Sequence, residues 1–341
     1  MKNKVVTFGE IMMRLSPPHY LRLIQTDTLS VSYSGAEANV AASLSNLGIP
    51  ATFITKLPNN YVGHAARNFL RKYGVDTTSI AWGGKRLGIY FTEKGASQRS
   101  SHVIYDRNNS AITEIQKGEI NWDDVFSDAA WFHFTGITPA LGQGTIEATL
   151  EALQAAKKHG LIVSCDLNYR NKLWSRDEAR KVMSGLMEYV DILIANEEDA
   201  EMVFNIKAGE TDVTSGSIDE DAYFQVAKKL FDEFGLKKVA VTLRESYSAS
   251  DNGWSALLYD GKKYYNSSKY YIHIVDRVGG GDSFCGGLIY ALLNNYSVQK
   301  SIEFAAAASC LKHTIEWDFN LVSLEEIETL MSGDRSGRVR R

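Results

Sequence analysis

Apolar positions along this chain follow two rhythms that alternate. Short unbroken apolar runs end in small or polar residues, and each is followed by a longer stretch with apolar residues at helical spacing. The alternation is most regular from residue 131 onward. It predicts strand 131–135, helix 143–158, strand 161–166, helix 176–189, strand 191–195, helices 197–204 and 219–234, and strand 238–243. Right-handed crossovers return each strand beside the last, so this rhythm builds a mostly parallel sheet with helices on both faces. Ligands of such sheets bind at the carboxyl ends of the strands.

The first strand, 5–8, ends in Gly9-Glu10, but no crossover helix follows it. Residues 11–33 contain Pro17, Pro18 and the alternating Leu29-Ser-Val-Ser-Tyr33, which predicts short strands leaving the main sheet. An Ala-rich helix then runs from Ser34-Gly35 to Leu47, closed by Gly48 and Pro50. Strand 51–55, a loop holding Gly63, helix 64–73 and a short segment near 78–82 come next. Residues 87–92 and 99–105 alternate on either side of Glu93-Lys-Gly95-Ala96 and predict a hairpin. Together with residues 11–33 they form a small β lid over the pocket. A second hairpin, 254–259 with 262–266 about Asp260-Gly261, closes the sheet edge, and helices 282–293 and 298–313 finish the pattern. The expected organisation is one α/β domain over 1–335. Lid strands are inserted at about 11–33 and 86–107, and a flexible basic tail covers 336–341.

Composition narrows the function. The chain has 341 residues, 44% hydrophobic and 23% charged, enough to bury a large core. A net charge of −4, with basic residues clustered only in the tail, argues against a nucleic-acid partner. No apolar run approaches the roughly 20 residues of a membrane span, so no membrane partner and a cytoplasmic location are expected. Cys165, Cys285 and Cys310 are scattered and odd in number, which fits reduced thiols, and the histidines show no ligand spacing.

The candidate chemistry centres on Asp276-Arg-Val-Gly279-Gly280-Gly281-Asp282. Three glycines before a helical apolar run describe a loop opening a helix N-terminus, where free N–H groups and the helix dipole attract an anion such as phosphate. A carboxylate beside that anion is costly unless it has a task, and Asp282 can accept the proton of an attacking hydroxyl. It can equally be a simple helix cap. Two more strand ends carry polar groups: Asp166-Leu-Asn168-Tyr-Arg170 and Asn196-Glu197-Glu198-Asp199. The second reads either as a cap with acidic first-turn residues or as the metal side of a phosphate site. Asn39, inward on its small-residue helix, needs backbone or polyol partners.

These motifs resemble the ribokinase-like PfkB family of carbohydrate kinases over nearly the whole length. Asp276-x-x-Gly279-x-Gly281-Asp282 is similar to its C-terminal signature, Ser34-Gly35-x-x-Asn39-x-Ala41 to its N-terminal one, and Asn196-x-x-Asp199 to its magnesium motif. Ser34 stands where glycine is usual, and Asp199 where glutamate is usual. Gly35-Ala-Glu37-Ala-Asn39, Tyr90, Tyr105-x-Arg107, Asp166-x-Asn168-x-Arg170 and Lys312-His-Thr-Ile315 resemble the branch acting on 2-keto-3-deoxygluconate. A sugar acid carries a carboxylate that suits a guanidinium fork, which Arg107 and Arg170 can supply, while Arg170 can instead face the nucleotide phosphates.

The resemblance implies an ATP- and Mg²⁺-dependent kinase that phosphorylates the primary hydroxyl of a sugar acid. Asp282 would be the general base and Gly279, Gly280 and Gly281 the anion loop. Gly35, Asn39, Tyr90, Tyr105, Arg107 and Arg170 would meet the sugar acid. Asn168, Asn196, Thr242, Arg244 and Gly281 would meet the nucleotide, and Asp199 the metal through water. It further implies a monovalent cation near Asp276 and homo-oligomers formed through the β lid. Alternatives are a kinase for fructose or another neutral sugar and a catalytically silent sugar-acid sensor. An oxidoreductase is disfavoured, since no Gly-x-Gly-x-x-Gly follows the first strand.

Overall fold

Alternate residues of each central strand point to opposite faces of one sheet, and both faces are apolar. Val5, Trp131, Ile192 and Ala240 belong to the core on one side, while their neighbours Val6, Phe132, Leu193 and Val241 belong to the core on the other. That is the signature of a sheet covered by helices twice over. The computed structural model describes residues 3–196, 198–207 and 220–334. Glu197, Asp219 and the tail at 336–341, each part of an expected element, lie outside the described residues.

In chain order the strands are β1 (Lys4–Phe8), β2 (Met12–Ser16), β3 (Ser30–Ser34), β4 (Ala51–Ile54), β5 (Lys56–Leu57), β6 (Ala81–Trp82), β7 (Gly88–Glu93) and β8 (His102–Asp106). They continue as β9 (Ala129–Thr135), β10 (Ile162–Asp166), β11 (Ile192–Asn196), β12 (Lys238–Ser246), β13 (Asp251–Tyr259), β14 (Tyr264–Asn266) and β15 (Tyr270–His273). The main sheet has the order β14-β13-β12-β11-β10-β9-β1-β4, with β15 also on β13. Its pairs from β4 to β12 are parallel, and β13 to β15 run antiparallel at one edge. One face is covered by α1 (Ala36–Asn46), α2 (Tyr61–Lys72), α8 (Gly280–Leu293), α9 (Val298–Lys312) and α10 (Leu324–Met331). The other carries α3 (Trp122–Phe126), α4 (Gln143–Lys158), α5 (Arg176–Met187), α6 (Asp199–Phe204) and α7 (Glu220–Phe234).

The excursions of the chain form a separate four-stranded sheet, ordered β3-β2-β7-β8. Its centre is the parallel pair β2 and β7, flanked by antiparallel partners. The inward residues of β2 are Met12, Arg14 and Ser16, all buried, so this sheet lies against the main body and forms one wall of the cleft.

Three details differ from the sequence pattern. Gly63 is helical rather than in a loop, because the Asn60 side chain caps α2 by accepting from the N–H groups of Val62 and Gly63, both at 3.0 Å. Helix α6 begins at Asp199, after Asn196 Oδ1 has taken the N–H groups of Glu198 and Asp199. Strands β5 and β15 and helices α3 and α10 were not expected. Among the described residues, no helix is long and apolar enough to cross a membrane.

Candidate active site

The carboxyl ends of β1, β10, β11 and β12 open into a cavity of about 860 Å³ that is roofed by the lid strands and floored by the loop before α8. That volume suits a small ligand plus part of a nucleotide. The loop turns sharply at Gly279, whose φ of +82° favours glycine, and a Cβ there would sit 2.1 Å from the Asp318 carbonyl oxygen. Gly280 N–H closes the turn on Arg277 O at 3.4 Å. The following N–H groups, of Gly281 and Asp282, lie in the first helical turn and have no intrahelical acceptor. A Cβ on Gly281 would meet nothing within 4 Å, so this stretch of backbone borders open cleft.

Asp282 is nearly buried, and its Oδ2 accepts from Asn39 Nδ2 at 2.6 Å. Asn39 is fixed in turn by the first turn of α1, where its N–H donates to Gly35 O at 2.7 Å. Burial lifts the Asp282 carboxyl to about 6, while the Asn39 hydrogen bond and the Arg170 charge pull the other way. Asp166 is pushed up by burial and by the charges of Asp199 and Asp282. Burial also lifts Asp199, to about 6. Its Oδ1 accepts from Tyr169 N–H at 3.1 Å, whereas Oδ2 is buried without a hydrogen-bond partner among the described residues.

Opposite these acids stands Arg170, exposed to the cleft and free of ion pairs among the described residues; its charge acts on Asp166, Asp199 and Asp282. Arg107 is placed differently from a mobile surface arginine on a lid strand. It lies just past β8, only 7% exposed, and its Nε donates to Glu10 Oε2 at 2.8 Å, with Nη2 on the same oxygen. Glu10 Oε1 also accepts from Ser110 Oγ at 2.6 Å. The guanidinium lies 5.4 Å from the Tyr105 ring centroid, and Tyr105 lies 5.9 Å from Tyr90. The Tyr90 hydroxyl donates to Asp318 Oδ1 at 3.0 Å and pairs with Ser34 Oγ. Gly35 passes so close to Glu10 that a Cβ would come within 1.8 Å of its carbonyl oxygen.

The expected nucleotide residues line the same cavity. Asn196 and Thr242 are register partners on β11 and β12. Asn196 Oδ1 is spent on the start of α6, which leaves its amide nitrogen for a ligand. Asn168 holds a φ of +40° and donates to Asp166 Oδ2 at 3.3 Å. Arg244 stacks over Trp254 at 5.4 Å. Sequence reasoning gave no role to Glu10, Arg277 or Asp318, which also line the cavity. Arg277 was legible, since it sits inside the glycine-loop motif. Glu10 and Asp318 were not, because their partners lie far off in sequence.

Behind the loop, all three oxygens of Asp276 have donors. Oδ2 accepts from Arg14 Nη2 at 2.7 Å, Oδ1 from Val278 N–H at 3.1 Å, and the main-chain oxygen from Lys312 Nζ at 3.0 Å. Arg14 reaches Asp318 Oδ2 as well, at 2.8 Å.

A carboxylate at a helix start that borders the cleft, in one cavity with further acids and an arginine, is an arrangement that suits phosphoryl transfer. The model of the pfkB family carbohydrate kinases matches residues 2–314. The chain belongs to this family. It is 35% identical to a 2-dehydro-3-deoxygalactonokinase of Haloferax volcanii over 338 residues, 99% of each chain. The crystal structure of a 2-dehydro-3-deoxygluconokinase from Thermotoga maritima matches at a TM-score of 0.93 and 53% identity, over 97% of this chain and 98% of that one. A fructokinase from Xylella fastidiosa with bound ATP, 22% identical, matches at a TM-score of 0.78 over 98% of this chain and 99% of that one, and shares the fold. Its mostly parallel sheet with helices on both faces is thus that of an α/β carbohydrate kinase with a ribokinase-like fold. The unpartnered, buried Asp199 Oδ2 beside open cleft fits a metal-bound water, and no group of three ligands that could hold an ion directly occurs among the described residues.

Proposed function

We propose that this kinase transfers the γ-phosphoryl group of ATP to the primary hydroxyl of a sugar acid, either 2-dehydro-3-deoxygluconate or its galacto epimer. The observation that carries the reading is the unpaired Arg170 guanidinium in the same cavity as Asp282. A neutral sugar has no use for a free cation there, whereas a carboxylate does. The near-full-length relatives named for such acids support the same substrate class.

In this reading Asp282 takes the hydroxyl proton as the oxygen attacks, and the N–H groups opening α8 stabilise charge on the transferred group. Gly35, Asn39, Tyr90, Tyr105, Arg107 and Arg170 hold the sugar acid. Asn168, Asn196, Thr242, Arg244 and Gly281 hold the nucleotide. Asp199 would hold the water shell of Mg²⁺, whose chemistry is to neutralise phosphate charge. A coupled ADP-release assay over both epimers, fructose and ribose tests the reading; faster turnover of a neutral sugar than of either acid would overturn it.

Arg107 has a more constrained role than a closing fork. With Nε and Nη2 held by Glu10, it presents Nη1 to the ligand, since among the described residues that nitrogen makes no hydrogen bond. Charge-assisted bonds contribute about 1.5–3 kcal/mol, so Arg107→Ala should lower kcat/KM for the acid roughly ten- to a hundredfold. Any fructose phosphorylation should change far less. Equal losses on both substrates would assign Arg107 to holding the lid against Glu10.

We place the enzyme in the cytoplasm and read the outer face of the lid as the contact between copies. Val31 and Ile104 are 53% and 55% exposed there. Ile104→Lys should then lower the particle mass seen by light scattering, and an unchanged mass would remove the lid contact.

A further inference from the structure

Lys312 is the buried charge for which the phosphoryl-transfer reading has no task. It is the last residue of α9 and is fully buried, yet lysine ammonium groups are strongly hydrated and rarely buried without a strong reason. Its Nζ donates to the main-chain oxygen of Asp276, three residues before the turning Gly279. Burial lowers its pKa, and the charges of Asp276, Asp318 and Asp282 work against that by favouring the ammonium. Arg14 fills the rest of the space, bridging Asp276 and Asp318 with no exposure of its own.

A hydrated alkali cation beside Asp276 does not fit this arrangement. Such an ion needs several oxygens, whereas every oxygen of Asp276 already accepts a hydrogen bond and two of the donors, Arg14 and Lys312, are cations that would repel it. Two main-chain oxygens nearby are engaged too: Gly280 O accepts from Ser309 Oγ at 2.7 Å, and His313 O from Val275 N–H at 2.8 Å. We propose that the Lys312 ammonium is a built-in cation behind the anion loop. It holds the 276–281 turn in its binding conformation and offsets the charge that gathers at α8, so the kinase runs without an added monovalent ion. Lys312 touches neither substrate nor nucleotide on this account and is a positioning residue acting through Asp276.

The inference rests on the phosphoryl-transfer reading, and the two can fail separately. If no sugar or sugar acid is phosphorylated under any condition, the reading of the function is wrong. If phosphorylation occurs, wild-type enzyme is assayed with Mg²⁺ fixed and K⁺ replaced by tetramethylammonium at constant ionic strength. The rate should stay within about twofold; a saturable rise of tenfold or more with K⁺ overturns the proposal. In Lys312→Ala, kcat should fall at least about tenfold and recover at least about fivefold with K⁺ or NH₄⁺, a rescue that a merely structural lysine would not give. Wild-type kcat in a folded Lys312→Ala, or a loss that neither ion relieves, also counts against it. If that variant does not fold, the wild-type ion replacement decides alone.

Discussion

Asp282→Asn should lower turnover at least about a hundredfold while leaving the fold and substrate affinity close to normal, the usual scale for a lost general base. The substitution keeps the shape and a hydrogen-bonding oxygen for Asn39, which holds the native carboxylate at 2.6 Å, but it removes the basic site. The same group should set the acid limb of the pH profile. Burial lifts its pKa to about 6, and only the carboxylate form can take the hydroxyl proton. Wild-type kcat/KM should therefore be flat above about pH 6 and fall about tenfold per unit below it. Near-normal turnover in Asp282→Asn would remove Asp282 from the mechanism. An acid limb that keeps its position in that variant would assign the titration to another group, with Asp199 the first candidate.

The part of this site that was legible in the sequence is the part built from local chemistry. Gly279 to Asp282 announced itself because a backbone turn and a helix start are made by neighbouring residues. The parallel sheet was equally plain, since a strand buried on both faces is apolar along its centre, as Val239 to Val241 and Ile192 to Ala195 show. Pairings between distant residues left no such trace. Glu10 takes Arg107 from 97 positions away, and Arg14 takes Asp318 from 304 away. Each looks like an ordinary surface charge until the fold removes water from it. Arg107 was therefore expected to meet the sugar acid directly, with no sign in the sequence that its guanidinium is held by Glu10, two residues past β1. The Asn60 cap shows the same limit on a smaller scale, because the Pro58-Asn-Asn60 stretch reads as loop and the cap sets α2 three residues earlier than the apolar spacing suggests.

Removing divalent metal should abolish activity altogether, and the reason lies in the charges already present. Asp166, Asp199 and Asp282 line one cavity, and each has its pKa raised by burial, so the protein alone disfavours more negative charge there. Arg170, Lys172, Arg244 and Arg277 also line the cavity, but a triphosphate adds several further negative charges beside these acids. Mg²⁺ or Mn²⁺ is thus needed for the nucleotide to approach Asp282 at all. Excess chelator should stop turnover and added Mg²⁺ should restore it; full activity in chelator would sink the kinase reading. Asp199 then has a separable effect. Its Oδ2 is buried with no donor, so it can accept from a metal-bound water, and partners of that kind typically govern metal affinity by ten- to a hundredfold. Asp199→Asn should accordingly raise the half-saturating Mg²⁺ concentration roughly tenfold or more, with kcat at saturating metal within a few-fold of wild type. Since the native carboxyl protonates near pH 6, the wild-type Mg²⁺ requirement should climb in the same direction as pH falls below 6. An Asp199→Asn enzyme with unaltered Mg²⁺ dependence would leave Asp166 as the acid that faces the metal.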